Sequence, residues 1–345
     1  VLASTVAVAL CDEVSAFADE PPANWDAFQA AHSLTCWAKD EPLKTPQTVE
    51  YAGYRYTFSG TSAQVRKLKP SAKGAEIKLG VLSGIKELDA DTKNSLDHFY
   101  EAFKKAGVEA ILVGGDNAED ESKLGEVFDY LAATDLPTYV VIGNWEGRAP
   151  FNRALRNSSA KHPNLINMQF VRRLDAEGYD VISLGGYYDR QYVRNTGGCI
   201  YKPEDVDALA DLAKSADDPV ILLMHGPPKQ SGKDAIDYVP EAGNVGDVEL
   251  AKVMTDAKIP FGIFGHILEA AMRATDANGK PVAAGKYSST LFVNPGAANS
   301  LPWKLNNGKT TYGSAAVFTL KGKMAKVEYL SSPKPEPKAV ETVPE

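Results

Sequence analysis

Four short apolar runs in this chain each end in a loop bearing a side chain that can bind a metal ion. Ala110-Ile111-Leu112-Val113 leads into Gly114-Gly115-Asp116, and Tyr139-Val140-Val141-Ile142 into Gly143-Asn144-Trp145-Glu146. Val220 to Met224 leads into His225-Gly226-Pro227-Pro228, and Pro260 to Phe264 into Gly265-His266-Ile267-Leu268. A carboxylate, an amide oxygen and two imidazoles are donors that suit a divalent cation such as zinc, manganese or iron. Such an ion acidifies a bound water and steadies charge developing on a phosphoryl oxygen. Each residue alone has a plainer role open to it, because Asp and Asn at loop starts commonly hydrogen-bond the backbone. Their recurrence weighs more, since open α/β sheets bind ligands at the carboxyl ends of strands.

The elements that must position these loops follow from the apolar spacing. A strand through Leu79-Gly80-Val81-Leu82 precedes a helix with Leu96, Phe99, Tyr100 and Phe103 on one face. Asp91 is the expected cap of that helix and Gly107 its end. Further helices are expected around Leu124 to Leu131, Phe151 to Leu155, Pro203 to Ala216 and Asp247 to Ala257, with strands at Val181 to Leu184 and Val220 to Met224. The last third is strand-rich, at Thr290 to Val293, Tyr312 to Leu320 and Met324 to Leu330. Alternating strands and helices with a β-rich end point to α/β layers rather than a purely parallel sheet. Upstream, residues 48–58 and 63–69 alternate like strands, with Ser59-Gly60-Thr61 as their turn. The chain therefore divides into 1–18, an N-terminal extension over 19–74, a main domain over 75–330 and a proline-rich tail over 331–345.

Composition bounds the function. The 345 residues carry a formal charge of −8, which disfavours nucleic-acid partners because phosphate backbones call for a basic surface. No apolar run is long enough to span a bilayer. Val1 to Leu10 is apolar, and Ala16-Phe17-Ala18 before Asp19-Glu20 has the small-residue form of an export cleavage site. Export to the periplasm or outside the cell is the expectation. Lipid anchoring at Cys11 is the weaker alternative, because Leu10 stands where a small residue is wanted. Cleavage after Ala18 leaves Cys36 and Cys199, which form one disulfide or stay as two buried thiols.

Taken in order, the loops resemble the motifs of the calcineurin-like metallophosphoesterases over roughly residues 77–330. Phe292-Val293-Asn294-Pro295-Gly296 adds the Asn-Pro-Gly that follows the last motif in many members. The resemblance implies a four-layer α-β-β-α sandwich and, in the family, two metal ions bridged by a carboxylate, with a histidine assisting at the phosphate. This sequence departs from that pattern in one half of the site. Where the family has Asp-x-His, Ser83-Gly84-Ile85-Lys86 stands; Trp145 replaces the assisting histidine, and Leu268 replaces the last metal-binding histidine. The resemblance thus leaves Asp116 alone at one metal position and Asp116, Asn144, His225 and His266 at the other. No metal or a single ion is expected, not the dinuclear centre.

Three readings follow. A non-catalytic relative would use Lys86 in place of the missing charge and serve as a binding or scaffold component among other envelope proteins. A mononuclear phosphomonoester or phosphodiester hydrolase would use the four donors around one ion, with Glu87, Glu119 or Glu146 as base. A purely structural subunit would keep the polar residues only to hold its loops. The first is favoured, since a lysine cannot generate a hydroxide as a bound metal ion does. Glu87 is the carboxylate best placed by sequence to refill the vacated position, with Glu119 and Asp120 next. Arg190 and Arg194, in a tyrosine-rich loop after the Val181 strand, are candidate ligand contacts together with Glu146.

Overall fold

A computed structural model describes residues 21–39, 41–72 and 74–336. The segment 1–18 with Cys11, and most of the proline-rich tail, lie outside the described residues. Among the described residues the chain builds two main sheets of six and nine strands. In the smaller one, Ile77–Leu82, Ala110–Val113, Thr138–Val140 and Leu165–Asn167 run parallel, and the antiparallel pair Ser314–Lys321 and Met324–Ser331 closes the Ile77–Leu82 edge. The larger sheet centres on Tyr179–Leu184, Val220–Met224, Phe261–Ile263 and Leu291–Asn294, again parallel.

Alternation within these strands produces the layers. Val81, Leu112, Ile221, Leu223, Ile263 and Val293 point into one shared core between the sheets. Their neighbours Leu82, Ile111 and Val113 turn outward instead, against α2 (Ala90–Ala106), α3 (Glu121–Ala132) and α4 (Arg148–Ser159). Ile182, Leu222 and Met224 turn the other way, against α5 (Pro203–Lys214) and α6 (Val248–Asp256). Strands buried on both faces read as unbroken apolar runs, and the result is the four-layer sandwich. Among the described residues no helix is long and apolar enough to cross a membrane.

The described strands of the segment 19–74 join the larger sheet of the sandwich. Its strands Gln47–Tyr51, Tyr54–Phe58 and Ser62–Lys67 continue the larger sheet, the last pairing parallel with Arg173–Ala176. The short helix α1 (Trp25–Ala31) lays Trp25 and Phe28 against Phe58 and Phe170. One expected strand over 48–58 is in fact two. Ala52 and Gly53, both with positive φ (47° and 85°), form a two-residue hairpin turn inside the alternating stretch. The cap of α2 also differs: Asp89 rather than Asp91 accepts the Thr92 N–H, at 2.7 Å, leaving Asp91 in the first turn.

Cys36 and Cys199 are joined as a disulfide across 163 residues of sequence. The bond ties the N-terminal segment to the loop after Tyr179–Leu184. That loop reaches the candidate site.

Candidate metal site

All the loops singled out by sequence leave the carboxyl ends of parallel strands and meet between the two sheets. Asp116 follows Ala110–Val113 and sits in the left-handed region (φ 57°), a conformation that Asp tolerates better than most side chains. Its Oδ1 accepts the N–H of Asn144 at 3.1 Å and of Trp145 at 3.3 Å. Gly143 permits this approach, because a Cβ there would fall 2.2 Å from Asp116 Oδ1.

The two histidines and Asn144 are aimed by neighbouring backbone. His225, fully buried, donates Nδ1–H to the Gly114 carbonyl at 2.8 Å, which turns its Nε2 toward Asn144. Asn144 donates its amide N–H to the Tyr192 carbonyl at 2.6 Å, so its Oδ1 turns inward. That oxygen lies 2.7 Å from His225 Nε2 and 3.0 Å from His266 Nδ1. The two ring nitrogens are 3.3 Å apart, and Asp116 Oδ1 is 3.3 Å from His225 Nε2. Burial, the nearby His225 and the Lys86 charge hold the His266 ring well below its ordinary pKa, which keeps it neutral. The Tyr187 ring packs on it at 4.0 Å.

This donor set fits one divalent ion. Two imidazole nitrogens, a carboxylate and an amide oxygen come together, with four of their six mutual spacings at 2.7–3.3 Å. Those spacings approach the roughly 3.3 Å edge of a tetrahedron with bonds of about 2.05 Å. Among the described residues no group of three or more His, Cys, Asp or Glu side chains that could by itself hold a metal ion is found; the set includes the Asn144 oxygen, which contacts both histidines.

The residues do not fit a second ion. Gly84 offers no donor, and its backbone (φ 60°) and the Ala297 methyl group, 3.1 Å from an added Cβ, oppose any side chain there. Leu268 opens a turn of 3-10 helix over Leu268–Ala270 and presents only hydrocarbon. Lys86 holds its ammonium over the Trp145 ring, 4.0 Å from the centroid. It makes no direct ion pair with Asp116 among the described residues. Burial lowers the Lys86 pKa, the charge of Asp116 pulls it back up, and Arg194 lowers it further. Arg194 stacks on the same indole at 4.1 Å.

The other candidates are placed elsewhere. Glu87 does not turn into the vacated position; its carboxylate is exposed and pairs with Lys123 Nζ at 2.8 Å, where both charges stay hydrated. Glu119 is exposed, and Asp120 caps α3 by accepting the Lys123 N–H. Arg190 donates to the Val193 carbonyl within its own loop. Glu146 is fully buried and faces backbone rather than an open site. It accepts the Asn117 N–H, the Asn117 side-chain amide at 2.9 Å and the Gly143 N–H at 3.0 Å. Burial, then the charge of Asp116, pushes its carboxyl up to about 8. Glu146 clamps two site loops together. Sequence reasoning passed over Tyr192, whose part is a backbone carbonyl that no side-chain pattern marks. The Tyr187 ring had a signal, the aromatic density of 187–192, but nothing in the sequence tied it to His266.

The sequence matches the family model described as calcineurin-like phosphoesterase over residues 90–270, more than half of the chain and across all four donors. None of the curated proteins matches it. One solved structure, 16% identical, covers 74% of this chain and 99% of its own with a TM-score of 0.53. The structure of TT1561 of Thermus thermophilus, also 16% identical with the same coverage of both chains, gives 0.49. Purple acid phosphatase PPD1 from yellow lupin seeds is 12% identical over 78% of this chain and 54% of that one, with a TM-score of 0.48. At such identities the likeness concerns fold alone.

Proposed function

The chain belongs to the calcineurin-like phosphoesterase family, and we propose that it is a non-hydrolytic member, exported, acting as a binding or scaffold component of an envelope assembly. One observation carries the reading: Lys86 stands in the motif where the family has a metal-binding histidine, and its ammonium stacks with Arg194 on Trp145, the residue in place of the assisting histidine. A fixed ammonium supplies one charge and no activated water. Losing a positioned general acid alone costs about 10²–10⁴ in rate. The Cys36–Cys199 disulfide supports export, since such bonds persist in oxidising compartments. Exposed aromatic surface beside His266 supports a binding role. Tyr192 is 48% and Trp303 38% exposed, the first with its ring 6.3 Å from His266. The hairpin carrying Trp303 bonds to the neighbouring turn through Asn306 N–H and the Glu269 carbonyl.

A mononuclear hydrolase is the second reading, favoured by the convergence of Asp116, Asn144, His225 and His266. An ion held there would polarise a bound oxygen. Asp116 and His225 would fix its place, and the Gly114 and Tyr192 carbonyls would orient its donors. No carboxylate among Glu87, Glu119 and Glu146 is turned to act as base beside it. Assay of bis-p-nitrophenyl phosphate and p-nitrophenyl phosphate with added manganese or zinc separates the two readings. Rates equal to the metal-only blank are expected. Turnover that disappears in a His225→Ala variant would establish the hydrolase instead.

A further inference from the structure

A cavity of about 610 Å³ lies where α5, the segment around Trp37 and the start of the strand Arg173–Ala176 meet. Its volume is that of a small-molecule site, and none of the four candidate metal donors lines it. Arg172 lines it and is only 7% exposed. Its Nε donates to the Ser183 carbonyl at 3.0 Å and its backbone N–H to the Thr61 carbonyl at 2.7 Å, which fixes the guanidinium in place. The Nη2 of that group is buried and, among the described residues, has no acceptor. Leaving such a donor unsatisfied is costly, and the planar acceptor that a guanidinium fork fits is a carboxylate. Burial pushes the Arg172 pKa down to about 10, against the charge of Asp205, so the group stays cationic at neutral pH. Asp205, half-buried, lines the same cavity, and its Oδ2 accepts the Lys202 N–H at 2.9 Å. Among the described residues it makes no ion pair with Arg172. Trp37 supplies an apolar wall, held between Cys36 of the disulfide and Ala38, whose N–H donates to the Gln169 carbonyl at 3.0 Å. Ala208 and Leu212 of α5 add further hydrocarbon.

We propose that this cavity binds a free α-amino acid with a large apolar side chain, its carboxylate on Arg172, its ammonium toward Asp205 and its side chain along Trp37. Opposite charges that share a cavity without pairing suit a ligand that carries both signs on neighbouring groups. The other charges on the walls do not tip this balance. Arg173 already faces Asp180 at 3.0 Å and Glu204 faces Lys202 at 3.8 Å, while Lys39 and Asp211 add one exposed charge of each sign. A ligand bearing only negative charge would meet Asp205, and one bearing only positive charge would leave the guanidinium unsatisfied. The volume and the indole wall favour an aromatic or long aliphatic side chain over a small one. None of this depends on the chemistry of the strand-end site.

Isothermal titration of the full chain with L-phenylalanine, 3-phenylpropanoate and 2-phenylethylamine tests this, because the last two each lack one of the charges. L-Phenylalanine is expected to bind one-to-one at millimolar or lower concentration. Each analogue should bind at least about tenfold more weakly, since charge-assisted hydrogen bonds carry the affinity. Arg172→Met should weaken phenylalanine binding at least about tenfold and leave 2-phenylethylamine unchanged. Because Arg172 is buried, Asp205→Asn is the safer variant: its amide oxygen can still accept the Lys202 N–H. It should weaken phenylalanine binding about tenfold and leave 3-phenylpropanoate bound as tightly as before or more so. A purely structural Asp205 would instead weaken both alike. Absence of phenylalanine binding, an analogue that binds as tightly as phenylalanine, or an Asp205→Asn variant without this selectivity overturns the proposal.

Discussion

Unfolding a Cys36→Ser, Cys199→Ser variant is expected to take about 2–5 kcal/mol less free energy than unfolding the parent chain. The bond closes a loop of 163 residues, which restricts the unfolded ensemble strongly. The native contacts around it are made independently. Gln169 donates to the Cys36 carbonyl, Asn152 to the Thr35 carbonyl at 2.9 Å, and Arg148 to the Leu34 and Gly197 carbonyls. The fold should therefore survive at reduced stability, with the loss read as a lower guanidinium midpoint. Reduction of the parent chain should reproduce the variant. A difference below about 0.5 kcal/mol would mean that the unfolded chain is already compact across this loop.

Stability in chelator is expected to fall as pH rises from about 5 to 8, by as much as several kcal/mol. The cause is Glu146, whose carboxyl is raised from 4.5 to about 8 by burial and then by Asp116. Between these values the folded protein keeps a proton that the unfolded chain gives up, so the folded state binds more protons. Raising the pH then favours unfolding, and every tenfold gain in the carboxyl's proton affinity on folding corresponds to about 1.4 kcal/mol. The contribution is complete below the unfolded value and gone above the folded one. Glu146→Gln should flatten the dependence even if its absolute stability drops, because an amide N–H would oppose the Gly143 N–H where the carboxylate accepts. Urea midpoints across this range measure it. Parallel profiles for the two proteins would show that Glu146 ionises normally in the fold.

Much of this architecture was legible in the sequence because its central strands are buried on both faces. Ala110–Val113 and Val220–Met224 read as unbroken apolar runs, and the loops after them hold the donors. The convergence of the four candidate donors was legible for the same reason: Asp116, Asn144, His225 and His266 each follow closely on a strand end. What escaped depended on geometry across the chain. The direction of Glu87 is decided by Lys123, 36 residues away. Glu146 follows Asn144 by two residues, yet turns under the loops because the backbone N–H groups of Asn117 and Gly143 receive it. Whether the two cysteines would pair could not be read from their spacing, since only the folded sheet brings residue 36 beside residue 199. The stacking of Lys86 and Arg194 on one indole likewise joins three separate loops.

The proposed function takes one half of the family's two-ion site to be exchanged for fixed cations and an indole. Metal content measures that exchange most directly: elemental analysis of protein purified without chelator, then loaded with excess zinc or manganese and desalted. At most one ion per chain is expected, lost on His225→Ala and unaffected by Lys86→Met. Two ions per chain would contradict the exchange, because Gly84, Lys86 and Leu268 provide no donors for the second.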